Sequence, residues 1–209
     1  MSETSIYGKY RESLERLKDD IISRIEEYAK EEKESGYGKV YEHLSARIKK
    51  DESMREKCRR KNLPENAQSA LRDIRDSVGV RIVCDFIDDI YVNVERIKSF
   101  EGCRIIEEKD YVRSAKPNGY RSYHMIIELA EPFEDVEGNI PGKYLAEIQL
   151  RTIAMDTWAA LEHELKYKTE IKNQHLIVSE LRRCADELAA CDVSMQTIRK
   201  LIRENEQQH

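Results

Sequence analysis

The sequence predicts an α/β (α+β) domain: a mixed β-sheet flanked by helices, with a helical segment at each end of the chain. Three observations carry this. Stretches of alternating apolar residues, such as VGVRIVCDF and KYLAEIQLR, are interleaved with stretches of three- and four-residue apolar periodicity. Proline and glycine punctuate the junctions between them. Both ends of the chain are rich in charge and carry helical apolar spacing.

The elements follow in chain order. Tyr10, Leu14, Leu17, Ile21, Ile25 and Tyr28 predict an amphipathic helix from Tyr7 to about Lys33, stopped at Gly36-Tyr37-Gly38. KVYEHLSARIK reads as a strand with Val40, Leu44 and Ile48 inward. Asp51 or Ser53 would cap a basic helix carrying Arg55, Lys57, Arg59, Arg60 and Lys61, which Pro64 ends. A short helix then leads to VGVRIVCDF, where Val78, Val80, Ile82, Cys84 and Phe86 share one face and Arg81 the other. Asp88 would cap a helix over DIYVNVERIKSF. Strands around CRIIEE and SYHMIIELA enclose a loop, and residues 131–142, with two prolines and two glycines, form a long hairpin connection. KYLAEIQLR is the last strand. A helix from Thr152 to about Lys168 follows, and a charged helix from Gln174 onward has Leu181, Leu188, Met195, Ile198 and Leu201 as inward candidates. Residues 1–35 and 171–209 are thus expected to be helical extensions of a central domain, 36–170.

Charged residues make up 37% of the 209 residues, against roughly 25% in an ordinary globular protein. The hydrophobic share of 40% still supports a core, which argues against disorder. With 36 Lys and Arg against 41 Asp and Glu, the net charge is −5, so an anion site must be a local basic pocket rather than a polyanion-wrapping face. No apolar run is long enough to span a bilayer, and no signal-peptide apolar core is present, which makes the cytoplasm the expected compartment. The five cysteines lack CxxC spacing, so neither a zinc site nor a disulfide framework is expected.

Several residues could do chemistry. In KYLAEIQLR, alternation puts Glu147, Gln149 and Arg151 on the face opposite Tyr144, Ala146, Ile148 and Leu150. A solvated sheet face is the plain reading. The helix that follows, with Trp158, Leu161 and Leu165 apolar, should nevertheless cover part of that face and leave the polar row lining a cleft. Asp76 precedes the strand containing Gly79, and Gly79 leaves room for close approach. Asp76 is either a helix-ending residue or, paired with Glu147, half of a site for Mg²⁺ completed by substrate phosphates. Arg47 and Lys49, followed by Ser53, Lys57, Arg60 and Lys61 on a helix, could form one basic wall. In KPNGYRSYH, Pro117-Asn118-Gly119 sets a turn that presents Tyr120 for base stacking, with Lys116, Arg121 and His124 as phosphate donors and Tyr123 turned to the core. His163 lacks the second histidine of a zinc-protease helix, since residue 167 is Tyr.

Taken together, SARIKKDESMREKCRRK, DSVGVRIVCDFIDD, KDYVRSAKPNGYRSYH and AEIQLRTIAMDTWAALEHELKYK resemble the synthetase domain of the RelA/SpoT family, in particular its small alarmone synthetases of the RelQ type. The resemblance covers roughly residues 20–185. It implies a nucleotidyltransferase-like fold and transfer of pyrophosphate from ATP to the 3′-hydroxyl of GDP or GTP, giving AMP and (p)ppGpp in the stringent response. By the same resemblance, Arg47 and Arg81 would hold adenine, and Lys49, Ser53, Lys57 and Arg60 the ATP phosphates. Asp76 and Glu147 would hold Mg²⁺, with Glu147 also the base for the 3′-hydroxyl. Tyr120 would stack on guanine, Lys116 and His124 would contact acceptor phosphates, and Gln149 and Arg151 would complete the acceptor side. Lys109 stands where several relatives are expected to have Arg, which keeps the charge but loses bidentate contact. The chain has no His-Asp pair, so synthesis without hydrolysis is expected. A homotetramer held by terminal helices, with (p)ppGpp as an effector at its centre, is also implied. Two other readings stay open. One is pyrophosphate transfer to another acceptor, such as a tRNA 3′ end or an adenine nucleotide. The other is a non-catalytic regulator binding nucleotide or single-stranded RNA.

Overall fold

The computed structural model describes residues 5–167 and 174–206. Five strands form one mixed sheet in the order β1-β2-β5-β4-β3, with β1 His43–Ile48, β2 Val78–Cys84, β3 Cys103–Asp110, β4 Tyr123–Glu131 and β5 Gly142–Thr152. β2 and β5 run parallel, and the other three pairings are antiparallel. Helix α1 (Arg11–Glu34) buries Leu14, Leu17, Ile21, Ile25 and Tyr28, the residues its periodicity selects, and Gly36 and Gly38 follow it with positive φ. On the sheet, Val78, Val80 and Ile82 of β2, Met125 and Ile127 of β4, and Ala146, Ile148 and Leu150 of β5 are buried in the same core. α1 and α3 (Ile87–Lys98) close that core.

Several local expectations are corrected. Helix α2 (Asp51–Arg60) begins after Lys50 with no side-chain cap. Asp51 is instead used sideways, its Oδ1 accepting hydrogen bonds from Ser5 Oγ at 2.7 Å and the Ile6 amide at 2.6 Å. α3 likewise has no side-chain cap, because Asp88 is engaged by Gln196, whose Oε1 accepts from the Asp88 amide and whose Nε2 donates to its carboxylate. The short helix before β2 is a π-helical turn, Ser69–Asp73. In α4 (Ile153–Tyr167) only Trp158 packs inward as expected, while Leu161 and Leu165 are half exposed.

The largest correction concerns α5 (Gln174–Glu206). Met195, Ile198 and Leu201 point outward, about half exposed, and the helix docks through other positions. Asp192 accepts from Thr152 Oγ1 at 2.6 Å, Arg199 donates to the fully buried Asp89 at 2.6 Å, and Arg203 donates to the Tyr37 carbonyl. Trp158 Nε1 donates to the Leu181 carbonyl. Leu181 and Leu188 are partly buried as expected, and Leu188 lines a cavity with Trp158 and the buried Ala185, whereas toward the C-terminal end the inward positions are polar and apolar periodicity did not find them. All five cysteines are free thiols. Among the described residues, no helix is long and apolar enough to cross a membrane.

Candidate active site

The face of the sheet opposite the core carries two cross-strand rows. Register aligns Arg47, Gly79, Glu147, Ile126 and Glu107 in one row, and Ser45, Arg81, Gln149, His124 and Lys109 in the next. The period-two geometry of strands puts both rows on one side, since alternate residues point the same way. Arg151 lies two residues beyond Gln149 on β5, where it is buried.

At the β1-β2-β5 side, a cavity of about 220 Å³ is lined by Arg47, Lys49, Asp76, Arg81, Glu147 and Gln149, among others. A Cβ on Gly79 would meet nothing within 4 Å, so the absent side chain leaves open space beside Glu147. Asp76 Oδ2 accepts hydrogen bonds from Lys49 Nζ at 2.7 Å and Lys57 Nζ at 2.6 Å. Burial pushes its carboxyl up, but the two lysines outweigh that and hold it below the ordinary carboxylate range. Its Oδ1 is buried without a hydrogen-bond partner. Asp76 and Glu147 also line a second cavity, which adds Lys57, Lys61, Arg75 and Glu107. The two carboxylates therefore open onto the same two spaces.

That donor set fits a magnesium ion shared with phosphates. Mg²⁺ takes one or two carboxylates and fills its remaining positions with water and phosphate oxygens. Two ionised carboxylates, one with a buried oxygen awaiting a partner, supply that minimum. Among the described residues, no group of three or more His, Cys, Asp or Glu could form an all-protein cage.

Glu147 belongs to a closed ring of side chains. His124 Nδ1 lies 3.4 Å from Glu147 Oε1, and His124 Nε2 is 2.7 Å from the Tyr120 hydroxyl. Arg151 Nη2 donates to that hydroxyl at 2.7 Å and to Gln149 Oε1 at 3.1 Å, and Gln149 Nε2 returns to Glu147 Oε2 at 3.0 Å. Arginine has only donors, so the Tyr120 oxygen accepts from it, and the same hydroxyl is hydrogen-bonded to His124 Nε2. His124 Nδ1 faces Glu147, whose two carboxylate oxygens are thus each engaged, one by His124 and one by Gln149. Burial raises the Glu147 carboxyl, but His124 and then Gln149 more than offset this, leaving it below the ordinary range and ionised at neutral pH.

The residues singled out from sequence divide into three groups. Arg47, Lys49, Asp76, Arg81, Glu147 and Gln149 share the first cavity, with Lys57 reaching it through Asp76. Tyr120, His124 and Arg151 meet them through the ring. Lys116 stands at the rim, with its Nζ 4.7 Å from the Tyr120 ring centroid and 4.5 Å from that of Tyr111. The third group is not gathered in. Ser53 and Arg60 are exposed on α2, and Lys109 is exposed on edge strand β3, paired with Glu107. Arg121, read as a phosphate donor, turns away: its guanidinium donates to the Val112 carbonyl and reaches Asp186 of α5. Two participants were missed. Asp156 accepts from Arg151 at 2.9 Å and lies 3.4 Å from Arg81, tying the two sides of the site. Its signal was an acid one turn into the helix after Arg151. Tyr111 packs edge-on to Tyr120 and His124, and the DYV turn before KPNGY was the available cue.

This site lies in a stretch, residues 46–172, that matches the region found in RelA / SpoT proteins. The chain belongs to the RelA/SpoT family. It is 40% identical over 161 residues to the GTP pyrophosphokinase YwaC of Bacillus subtilis, covering 77% of this chain and 75% of that one. Among solved structures, small alarmone synthetase 2 of B. subtilis superposes with a TM-score of 0.76 at 35% identity, covering 92% and 98% of the two chains. The B. subtilis small alarmone synthetase 1 bound to its product pppGpp superposes with a TM-score of 0.74 at 30% identity, covering 92% and 94%.

Proposed function

We propose that this chain is a (p)ppGpp synthetase, which moves pyrophosphate from ATP to the 3′-hydroxyl of GDP or GTP and releases AMP. The observation that carries it is the pair Asp76 and Glu147, ionised and opening onto common cavities between a cationic side and an aromatic side. Relatives named as a GTP pyrophosphokinase and as a synthetase holding pppGpp support the same reading.

In this proposal Arg47 and Arg81 hold adenine. Lys49, Ser53, Lys57 and Arg60 hold the triphosphate, with the exposed Ser53 and Arg60 drawn in by its anionic charge. Tyr120 stacks on guanine, Lys116, His124 and Lys109 meet acceptor phosphates, and Gln149 and Arg151 orient the ring. Asp76 and Glu147 would hold Mg²⁺, which neutralises charge building on the transferred group. The acceptor 3′-oxygen attacks the β-phosphorus of ATP, the bond from that phosphorus to the α,β-bridging oxygen breaks, and AMP leaves with that oxygen. Glu147, already deprotonated, takes the hydroxyl proton. Most of the acceleration comes from positioning and charge complementarity.

The synthetase domain is proposed to span 36–170, with helical extensions on either side, working in the cytoplasm as a homotetramer that binds (p)ppGpp as effector. The half-exposed Met195, Ile198, Leu201 and Ile202 of α5 are the apolar surface available for self-association.

Glu147→Gln is expected to lower AMP release by about 10²- to 10⁴-fold, the range for loss of a proton-transfer group, and Asp76→Asn to lower it strongly by removing a metal-holding carboxylate, while ATP binding stays measurable by calorimetry. Full turnover in either variant overturns the assignment. Chromatography of reactions supplied with GDP, GTP or tRNA identifies the acceptor, and absence of AMP release with all of them would favour a regulator.

A further inference from the structure

The loop carrying Lys116 and Tyr120 is fastened to α5 by a close contact at a glycine. Gly119 is buried with φ of +93°, and a Cβ there would lie 2.6 Å from Ala185 Cβ and 3.2 Å from the Arg182 Cα. The loop backbone therefore rests against the Ala185 methyl group and the helix backbone at Arg182. Two weaker ties flank the contact: Arg182 Nη1 with the Pro117 carbonyl, and Arg121 Nη2 with Asp186, each at 3.5 Å. On its other side the loop touches α4, where Asn118 donates to Glu162 at 3.1 Å.

α5 does not borrow its own position from this loop. Asp192, Gln196, Arg199 and Arg203 pin it to Thr152, Asp88, Asp89 and the Tyr37 carbonyl, all in the core or at its edge. It is a fixed post against which the loop between β3 and β4 rests. It also lies outside residues 46–172, the stretch that matches the family.

We propose that α5 sets the position of the acceptor-binding loop, and that Ala185 is the positioning residue through which it acts. The effect is confined to one substrate, since no residue of α5 lines the cavity assigned to ATP. Overpacking at Ala185 pushes the Gly119 backbone away and moves Tyr120, whereas Arg47, Lys49 and Arg81 stay on β1, the segment after it and β2. The inference rests on the assignment of Tyr120 to the acceptor, so the test carries an arm for that.

Steady-state kinetics would be measured on Ala185→Leu, on Asp186→Ala and on Tyr120→Ala, varying ATP and acceptor separately. Ala185→Leu is expected to raise the acceptor KM about five- to tenfold, and Asp186→Ala about twofold, with the ATP KM unchanged in both. An unchanged acceptor KM in Ala185→Leu, or an ATP KM rising in parallel, overturns the proposal, since a merely structural role would not separate the two substrates. Where Ala185→Leu does not fold, the doubly altered Arg182→Ala/Asp186→Ala chain decides by the same criterion. A Tyr120→Ala variant with normal acceptor KM would overturn the site assignment instead.

Discussion

Glu147 sits where two opposing effects on a carboxylate can be weighed. Burial alone would push its pKa up, yet the outcome is below the ordinary 4.5 because His124 and Gln149 hold the charged form. Two consequences follow for pH. A group with a depressed folded pKa stabilises the fold above its unfolded value, and that contribution fades as pH falls through the folded one. For the base proposed in catalysis the direction is the same: Glu147 is held in its ionised form at neutral pH. The acid limb that Glu147 contributes to the kcat/KM profile should therefore lie below the ordinary carboxylate range and move upward in Gln149→Ala, which removes one of the two groups holding the charged form. A limb left unmoved by Gln149→Ala would show that the pairing described for Glu147 is wrong. Most of this site was legible residue by residue, because strand alternation alone puts Glu147, Gln149 and Arg151 on one face. What alternation could not supply was direction. Arg121 and Tyr120 are neighbours in sequence, and only the packing of α5 shows that one turns outward and the other in.

At the scale of elements, strands and the first helix were readable because their buried faces are apolar, and α5 was misread beyond Leu188 because its buried positions there, such as Asp192, Gln196 and Arg199, are polar. Asp89 is fully buried and bonded to Arg199, itself only 11% exposed at the side chain. Burial is the leading influence on Asp89 and leaves its carboxyl raised despite Arg199 and Tyr37. Its charged form is thus penalised in the folded state, and the stability it costs grows as pH rises through its folded pKa. Removing one partner leaves the other uncompensated, so Arg199→Met is expected to destabilise the protein by about 3–5 kcal/mol. For a chain of this size that lowers Tm by roughly 6–20 °C. Adding Asp89→Asn should restore part of the loss, a non-additivity read by thermal melts of both singles and the double. Purely additive effects would show that the pair is not coupled.

At the scale of the whole molecule, the chain's first described residues reach back to the site's cationic side. Tyr7 is fully buried, and its hydroxyl donates to the Lys49 carbonyl at 2.7 Å, while the Lys49 amide donates to the Ser77 carbonyl. Lys49 is thereby held on both sides of its backbone. Tyr7→Phe leaves a carbonyl without its donor and is expected to cost about 1–3 kcal/mol in denaturant unfolding. An unchanged midpoint would show that water replaces the bond. No periodic pattern in the sequence announces this clasp, because it joins residues 42 apart through one hydroxyl.

The sheet order also bears on how such a protein is made. β5 is last in the chain yet lies between β2 and β4. A ribosome that has released residues only up to 141 has delivered two separate antiparallel strand pairs, β1-β2 and β3-β4, with no strand joining them. Asp76 is then already in place while Glu147 has not yet been synthesised. Pairing of one late strand with both β2 and β4 joins the two halves and brings Glu147 to the cavity that Asp76 lines.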